Sequence, residues 1–124
     1  MTTKNISILA HDDVVSVADK IVNFSRLLDG MESLSEKKKE LWKQIYTNAV
    51  IDRNHALICY NDLLGKALQS STEHAIHAQS LAKYIERMSR SNDQLLRLAE
   101  LVAEAEEAEK GNNPEDIYSE LEKS

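Results

Sequence analysis

The most regular hydrophobic pattern in the chain extends from Ser71 to Glu109. Mostly apolar residues recur there in two rows with seven-residue spacing, and steps of three and four residues separate the rows. Because about 3.6 residues complete a helical turn, such positions share one side of a helix. The pattern therefore predicts a long helix with a seam for pairing. The first row contains Leu81, Met88, Leu95 and Val102, and the second row contains Ala78, Ile85, Asn92 and Ala99.

An earlier helix is predicted from Asp12 to Leu28, after an irregular start at residues 1–10. Asp12 and Asp13 are acidic and are expected to cap its N-terminal end. Gly30 is expected to end it. Its apolar face consists of Val14, Val17, Ala18, Ile21, Phe24 and Leu28.

A second helix is predicted between Ser33 and Gln69. Ser33 and Glu36 have the spacing of a capping box, which predicts its start. The Ser70–Thr72 stretch closes it and caps the third helix, and so short a link predicts an antiparallel helical hairpin. The residues that continue the alternation are Leu41, Ile45, Ala49, Ala56, Tyr60, Leu63 and Ala67.

The apolar surface exceeds what one hairpin can bury, which predicts self-association. Trp42, Tyr46 and Leu96 are among the apolar residues expected off the seam, facing the first helix or neighbouring chains. Asn92 is either a buried amide that fixes the register of packed helices or a solvent-facing residue at a gap. The residues predicted for oligomerisation are Leu81, Ile85, Met88, Asn92, Leu95 and Val102.

Composition supports an all-α fold. The 124 residues suit one domain, and three Gly, one Pro and 5% aromatic residues leave little room for a sheet. A single cysteine, Cys59, excludes an internal disulfide and favours a reducing cytosol. We find neither a membrane-spanning run nor a signal sequence, so a cytoplasmic protein is expected.

Charge divides the chain unevenly. Residues 1–98 carry 13 Lys and Arg against 12 Asp and Glu, whereas residues 99–124 carry 2 against 9. We therefore expect an N-terminal segment (1–32), a hairpin core (33–110) and an acidic tail (111–124). The tail contains a short amphipathic segment that either docks on a partner or packs on its own body. Its docking residues are Ile117, Tyr118 and Leu121.

Two basic groups are the candidates for DNA contact. The first lies at the start of the second helix and the second shares one face of the third helix. Either group is also compatible with a solvated surface or with salt bridges that flank a helix bundle. As DNA ligands they would bind phosphate, and we favour the first group slightly. The first group is Lys37, Lys38, Lys39 and Lys43, and the second is Lys83, Arg87, Arg90 and Arg97.

Catalysis and metal binding have little support in the sequence. His74 and His77 lie three apart, but zinc needs further converging ligands. Cys59 follows His55 by one helical turn, where core packing is the expected role. No phosphate-binding glycine loop or nucleophile elbow occurs. We therefore expect a non-enzymatic protein without cofactor or metal.

Residues 46–102 resemble the oligomerisation domain of small terminase subunits of T-even-type tailed bacteriophages. The likeness lies in the stretches 53–74 and 81–102, which match a pattern of two long helices, a short turn beginning with serine, and an Asn before paired Leu. Thr72–Glu73 replaces the Pro-Arg often found in that turn. The matching positions are Ser71, His74, Asn92, Leu95 and Leu96.

This resemblance implies a ring-forming, non-catalytic regulator of phage genome packaging. Such a protein binds viral double-stranded DNA and recruits the large terminase subunit, which holds the ATPase and nuclease, in the cytoplasm of the infected cell. The one helix predicted in residues 1–32 is too little for a helix-turn-helix. The alternative is a small helical adaptor or export chaperone that acts by protein–protein binding.

Overall fold

The computed structural model describes residues 2–111 and 121–122, with side chains from Ser16 onward. It contains three long helices: α1 (Thr2–Asp29), α2 (Glu36–Ala67) and α3 (Ser71–Gly111). No strand occurs among the described residues. The predicted all-α class is confirmed.

Helix α1 starts earlier than predicted. It begins at Thr2, so the irregular start was wrong, and Asp12 and Asp13 lie inside the helix instead of capping it. Residues 1–29 contain neither Gly nor Pro, so nothing in them interrupts a helix once it has formed. The predicted end is confirmed, because α1 ends at Asp29, directly before Gly30.

Helix α2 is capped by Ser35 and not by Ser33. The Ser35 side chain accepts a hydrogen bond from the Lys38 amide at 3.2 Å. The Ser33 amide instead donates to Glu109 at 3.1 Å, which ties the start of α2 to the end of α3. The predicted capping box was therefore wrong. Leu34, between the two serines, is buried in the core, and the helix begins after this anchor.

Helices α2 and α3 are joined by residues 68–70 and pack against each other. Ser70 accepts a hydrogen bond from the Glu73 amide at 3.0 Å, so α3 begins at Ser71, as predicted. The start of α2 lies beside the end of α3, so the two helices run antiparallel. Helix α1 packs on α2.

The core lies where the three helices meet. Leu28 of α1 is fully buried there, and Trp42 of α2 packs with Leu98 and Val102 of α3. The placement of Trp42 off the seam was therefore wrong, whereas Tyr46 stacks on Phe24 of α1, one of the two environments expected for it. The predicted seam of α2 was wrong only at its start, where Leu41 and Ile45 are exposed; further along, its Ala49, Ala56 and Ala67 are buried.

One continuous line of α3 residues, here called the core stripe, faces the rest of the chain. It contains the whole first row of the predicted seam. The second row is excluded, so the prediction of Asn92 on this seam was wrong; Ser91 takes the polar position and is only 4% exposed. The core stripe consists of Leu81, Tyr84, Met88, Ser91, Leu95, Leu98, Val102 and Ala105.

Among the helices described by the structure, none is long and apolar enough to cross a membrane.

Replacing Leu28 by Ala is expected to lower the free energy of unfolding by about 2–5 kcal/mol, because it leaves a cavity in the core. The matched control is Leu68→Ala, at a side chain that is 71% exposed, with an expected change within about 0.5 kcal/mol. Urea denaturation at one fixed protein concentration measures both. Equal losses of unfolding free energy for the two variants would contradict the placement of Leu28 in the core.

Tyr46 is expected to make stability fall at high pH. Its ring stacks on Phe24 with centroids 4.1 Å apart, and burial raises its pKa above the ordinary value of 10.0. The unfolded state therefore ionises first, so the stabilisation is complete below that value and is lost as pH rises through the folded-state pKa.

Urea denaturation of the wild type and of Tyr46→Phe at about pH 8 and about pH 11 measures this effect, since these conditions bracket the ordinary tyrosine pKa. Between them the wild type should lose more unfolding free energy than the variant. Equal losses of unfolding free energy in the two proteins would show that ionisation of the Tyr46 hydroxyl does not contribute to the pH dependence of stability.

Candidate assembly and nucleic-acid surfaces

Helix α3 has a second line of residues, here called the outer stripe, that the chain leaves uncovered. All nine positions are exposed and none carries a charge. Their steps alternate between three and four, as in the core stripe, so the line can pack against another helix. The outer stripe consists of Ala75, Ala78, Ala82, Ile85, Ser89, Asn92, Leu96, Ala99 and Ala103.

The outer stripe is long and contains large apolar side chains. From Ala75 to Ala103 it extends about 42 Å along the helix. Leu96 is 64% exposed and Ile85 is 51% exposed, although most of the other positions are small. Exposed apolar surface of this kind is a candidate interaction site, although Ser89 and Asn92 interrupt it. The uncharged alternation is readable in the sequence, but sequence reasoning assigned Ala78, Ile85, Asn92 and Ala99 to the predicted seam and expected only Leu96 off it, facing the first helix or neighbouring chains.

The residues predicted for oligomerisation divide between the two stripes. Leu81 and Val102 are buried within the chain, so they are not available to a second chain in this conformation. Met88 and Leu95 are half-buried on the same core stripe. Only Ile85 and Asn92 lie on the outer stripe and are free to contact a neighbour.

A groove lies between α1 and α3, and Tyr46 of α2 also lines it. This α1–α3 groove has a volume of about 250 Å³. Leu27 of α1 lines one side, and Ala99 and Ala103 of the outer stripe line the other. Glu106 supplies the charge in an otherwise uncharged lining, so the groove extends the apolar outer stripe toward α1.

The predicted lysine group does not form one exposed patch. Lys39 is only 6% exposed and lies 3.5 Å from Glu36, so its prediction as a phosphate ligand on the surface was wrong. Lys43 forms an ion pair with Asp29 at 2.6 Å. Asp29 belongs to α1, so this partner depends on how the helices pack.

The other two lysines of the group are exposed. The Lys38 ammonium lies 5.9 Å from the centre of the Trp42 ring, at the distance of a cation–π contact. Lys37 is exposed on the same turn. Two of the four predicted lysines therefore remain accessible to a phosphate group.

All four side chains of the predicted basic group on α3 are exposed. Lys83, Arg87 and Arg90 surround a shallow pocket of about 260 Å³ together with Glu86. Arg90 pairs with Glu86 at 2.6 Å, and Arg97 pairs with Glu100 at 3.2 Å. Three cations against one carboxylate make this pocket the more coherent candidate for binding an anion.

The histidine and cysteine side chains are not gathered into a site. His77 lies 3.1 Å from Glu73 on the same helix. Within the described residues, no group of three or more His, Cys, Asp or Glu side chains is placed to hold a metal ion. Cys59 is exposed, so the core position expected for it was wrong.

The predicted docking segment of the tail lies mostly outside the described residues. This applies to Ile117 and Tyr118. Leu121 is described, and its side chain is exposed.

Comparison with known proteins does not identify a relative. A scan against protein-family models finds no match to the chain, and searches of curated proteins and of solved structures find none either. The resemblance to small terminase subunits therefore stays a hypothesis based on the sequence pattern. The exposed surfaces of α2 and α3 are what the structure adds to it.

Proposed function

We propose that this protein is a non-catalytic small terminase subunit that assembles through its helical hairpin into a homo-oligomeric ring. In the cytoplasm of the infected cell it binds viral double-stranded DNA and recruits and regulates the large terminase subunit during genome packaging. The observation that carries this proposal is the uncovered, uncharged outer stripe of α3.

Self-assembly is supported by the two stripes of α3. The core stripe already has a partner within the chain, whereas the outer stripe exposes Ile85 and Leu96 to water. Burying large apolar side chains is favourable, at roughly 25 cal/mol per Å² of surface removed from water. A neighbouring chain that covers the stripe gains this free energy along about eight helical turns.

DNA binding is supported by the cations around the Lys83, Arg87 and Arg90 pocket. All three side chains are exposed, so phosphate oxygens can reach them. Each subunit offers only a few contacts, so one subunit binds weakly. A ring repeats the contacts and multiplies a weak affinity through high effective concentration.

The second candidate, a helical adaptor or chaperone, is favoured by the ion pairs of the lysine group. Lys39 and Lys43 already have acidic partners within the chain. Such a protein would dock on another protein through its apolar surface and would not need DNA. The number of subunits separates the two functions, since an adaptor is expected to be a monomer or dimer.

Replacing the three pocket cations by glutamine, in a K83Q/R87Q/R90Q variant, is expected to weaken binding to duplex DNA at least tenfold. Binding of the wild type should also fall steeply between about 50 mM and about 200 mM salt, because each neutralised phosphate releases counterions. The variant should show a shallower salt dependence. Fluorescence anisotropy of a labelled duplex measures both quantities.

The matched control is the triple variant K37Q/K38Q/K66Q, which removes three exposed cations of α2. It should lose less affinity than the α3 variant. A larger loss in the control would move the DNA surface to α2. No binding by the wild type at any salt concentration would contradict the DNA-binding function and favour the adaptor.

A further inference from the structure

Helix α3 exposes apolar surface on a second side, next to α2. A groove of about 430 Å³ lies there, here called the α2–α3 groove. Ile45 of α2 and Leu101 of α3 line it. Leu41, one helical turn before Ile45, is also exposed.

The outer stripe and the α2–α3 groove lie on opposite sides of α3. Successive residues of a helix are rotated by about 100°. Leu101 is therefore rotated by about 140° from Leu96 and by about 200° from Ala99, which places it about half a turn from the middle of the outer stripe. A single neighbouring helix cannot cover both surfaces of one copy.

The two sides have borders of opposite charge. An acidic row lies beside the outer stripe, and Glu106 lines the α1–α3 groove. Arg97 lines the α2–α3 groove and is the last member of a basic row. Asp93 lies between the two surfaces and also lines the α2–α3 groove. The acidic row is Glu86, Asp93, Glu100 and Glu107, and the basic row is Lys83, Arg90 and Arg97.

We propose that the outer stripe of one copy docks on the α2–α3 groove side of the next copy, so that Leu96 packs near Ile45 of its neighbour. This inference rests on the self-assembly in the proposed function and names the two surfaces that perform it. The contact is heterologous, or head-to-tail, because each copy contributes a different surface to each of its two neighbours.

Charge selects a second copy in this orientation. When two outer stripes pair with each other in antiparallel orientation, their acidic rows lie on the same flank, and juxtaposed like charges are unfavourable. In the head-to-tail contact the acidic border of one copy meets Arg97 and the basic row of the next. A partner that covered only one of the surfaces would leave the other exposed on every copy.

Two single substitutions test the contact, one on each surface. Leu96→Asp disrupts the outer stripe and Ile45→Asp disrupts the groove side; Leu96 is 64% exposed, Ile45 is 36% exposed, and neither belongs to the buried core cluster. Each variant alone should be a monomer by native mass spectrometry. An equimolar mixture should form a one-to-one dimer, because each variant keeps the surface that the other has lost.

The control is Ile58→Asp, which adds the same charge to an exposed residue of α2 that is rotated by about 140° from Ile45. It should keep the wild-type subunit number. Circular dichroism should show wild-type helicity for all variants, and Ala99→Asp paired with Leu41→Asp should repeat the result.

Wild-type assembly by Ile45→Asp, or a mixture that stays monomeric, would overturn the head-to-tail contact while leaving self-assembly intact. Wild-type assembly by Leu96→Asp would also overturn the head-to-tail contact while leaving self-assembly intact. A wild-type protein that is itself monomeric would overturn the self-assembly on which the inference rests.

Discussion

The packing of Trp42 against Leu98 and Val102 determines how α3 is rotated about its own axis. A helix that buries one line of residues has no freedom over which line it exposes, because the angular positions of its side chains are fixed by about 100° per residue. Once the core stripe faces α2, the outer stripe faces away from it. The interaction surface proposed for assembly is thus a consequence of the core.

The same rotation of α3 also determines on which side of the helix its charged residues lie. Glu86, Asp93 and Glu100 fall beside the outer stripe, and Arg90 and Arg97 fall on the side of the α2–α3 groove. Pairs within the helix, such as Arg97 with Glu100, link the two rows at their boundary. Exposed pairs of this kind contribute little to stability.

The sequence was sufficient to predict three helices and two of their boundaries, because helical spacing, Gly30 and Ser71 are local signals. It was not sufficient to predict the rotation of α3. Ile85 and Ala99 are more apolar than Ser91, so hydrophobicity alone placed the second row of the seam on the wrong side of the first row, whereas packing against α2 buries Ser91. The prediction of one phosphate-binding patch at the start of α2 was wrong for a similar reason. The pairing of Lys43 with Asp29 depends on α1 packing beside α2, and the spacing of residues in the sequence does not reveal it.

Native mass spectrometry of the wild-type chain of 124 residues tests the central claim most directly, namely that α3 packs within the chain on one side and between chains on the other. The account predicts a single closed assembly of more than two subunits at micromolar concentration, since head-to-tail contacts between two different surfaces continue until a ring closes. A dimer would favour the adaptor function. A monomer at the same concentration would contradict both the assembly and the terminase function proposed from it.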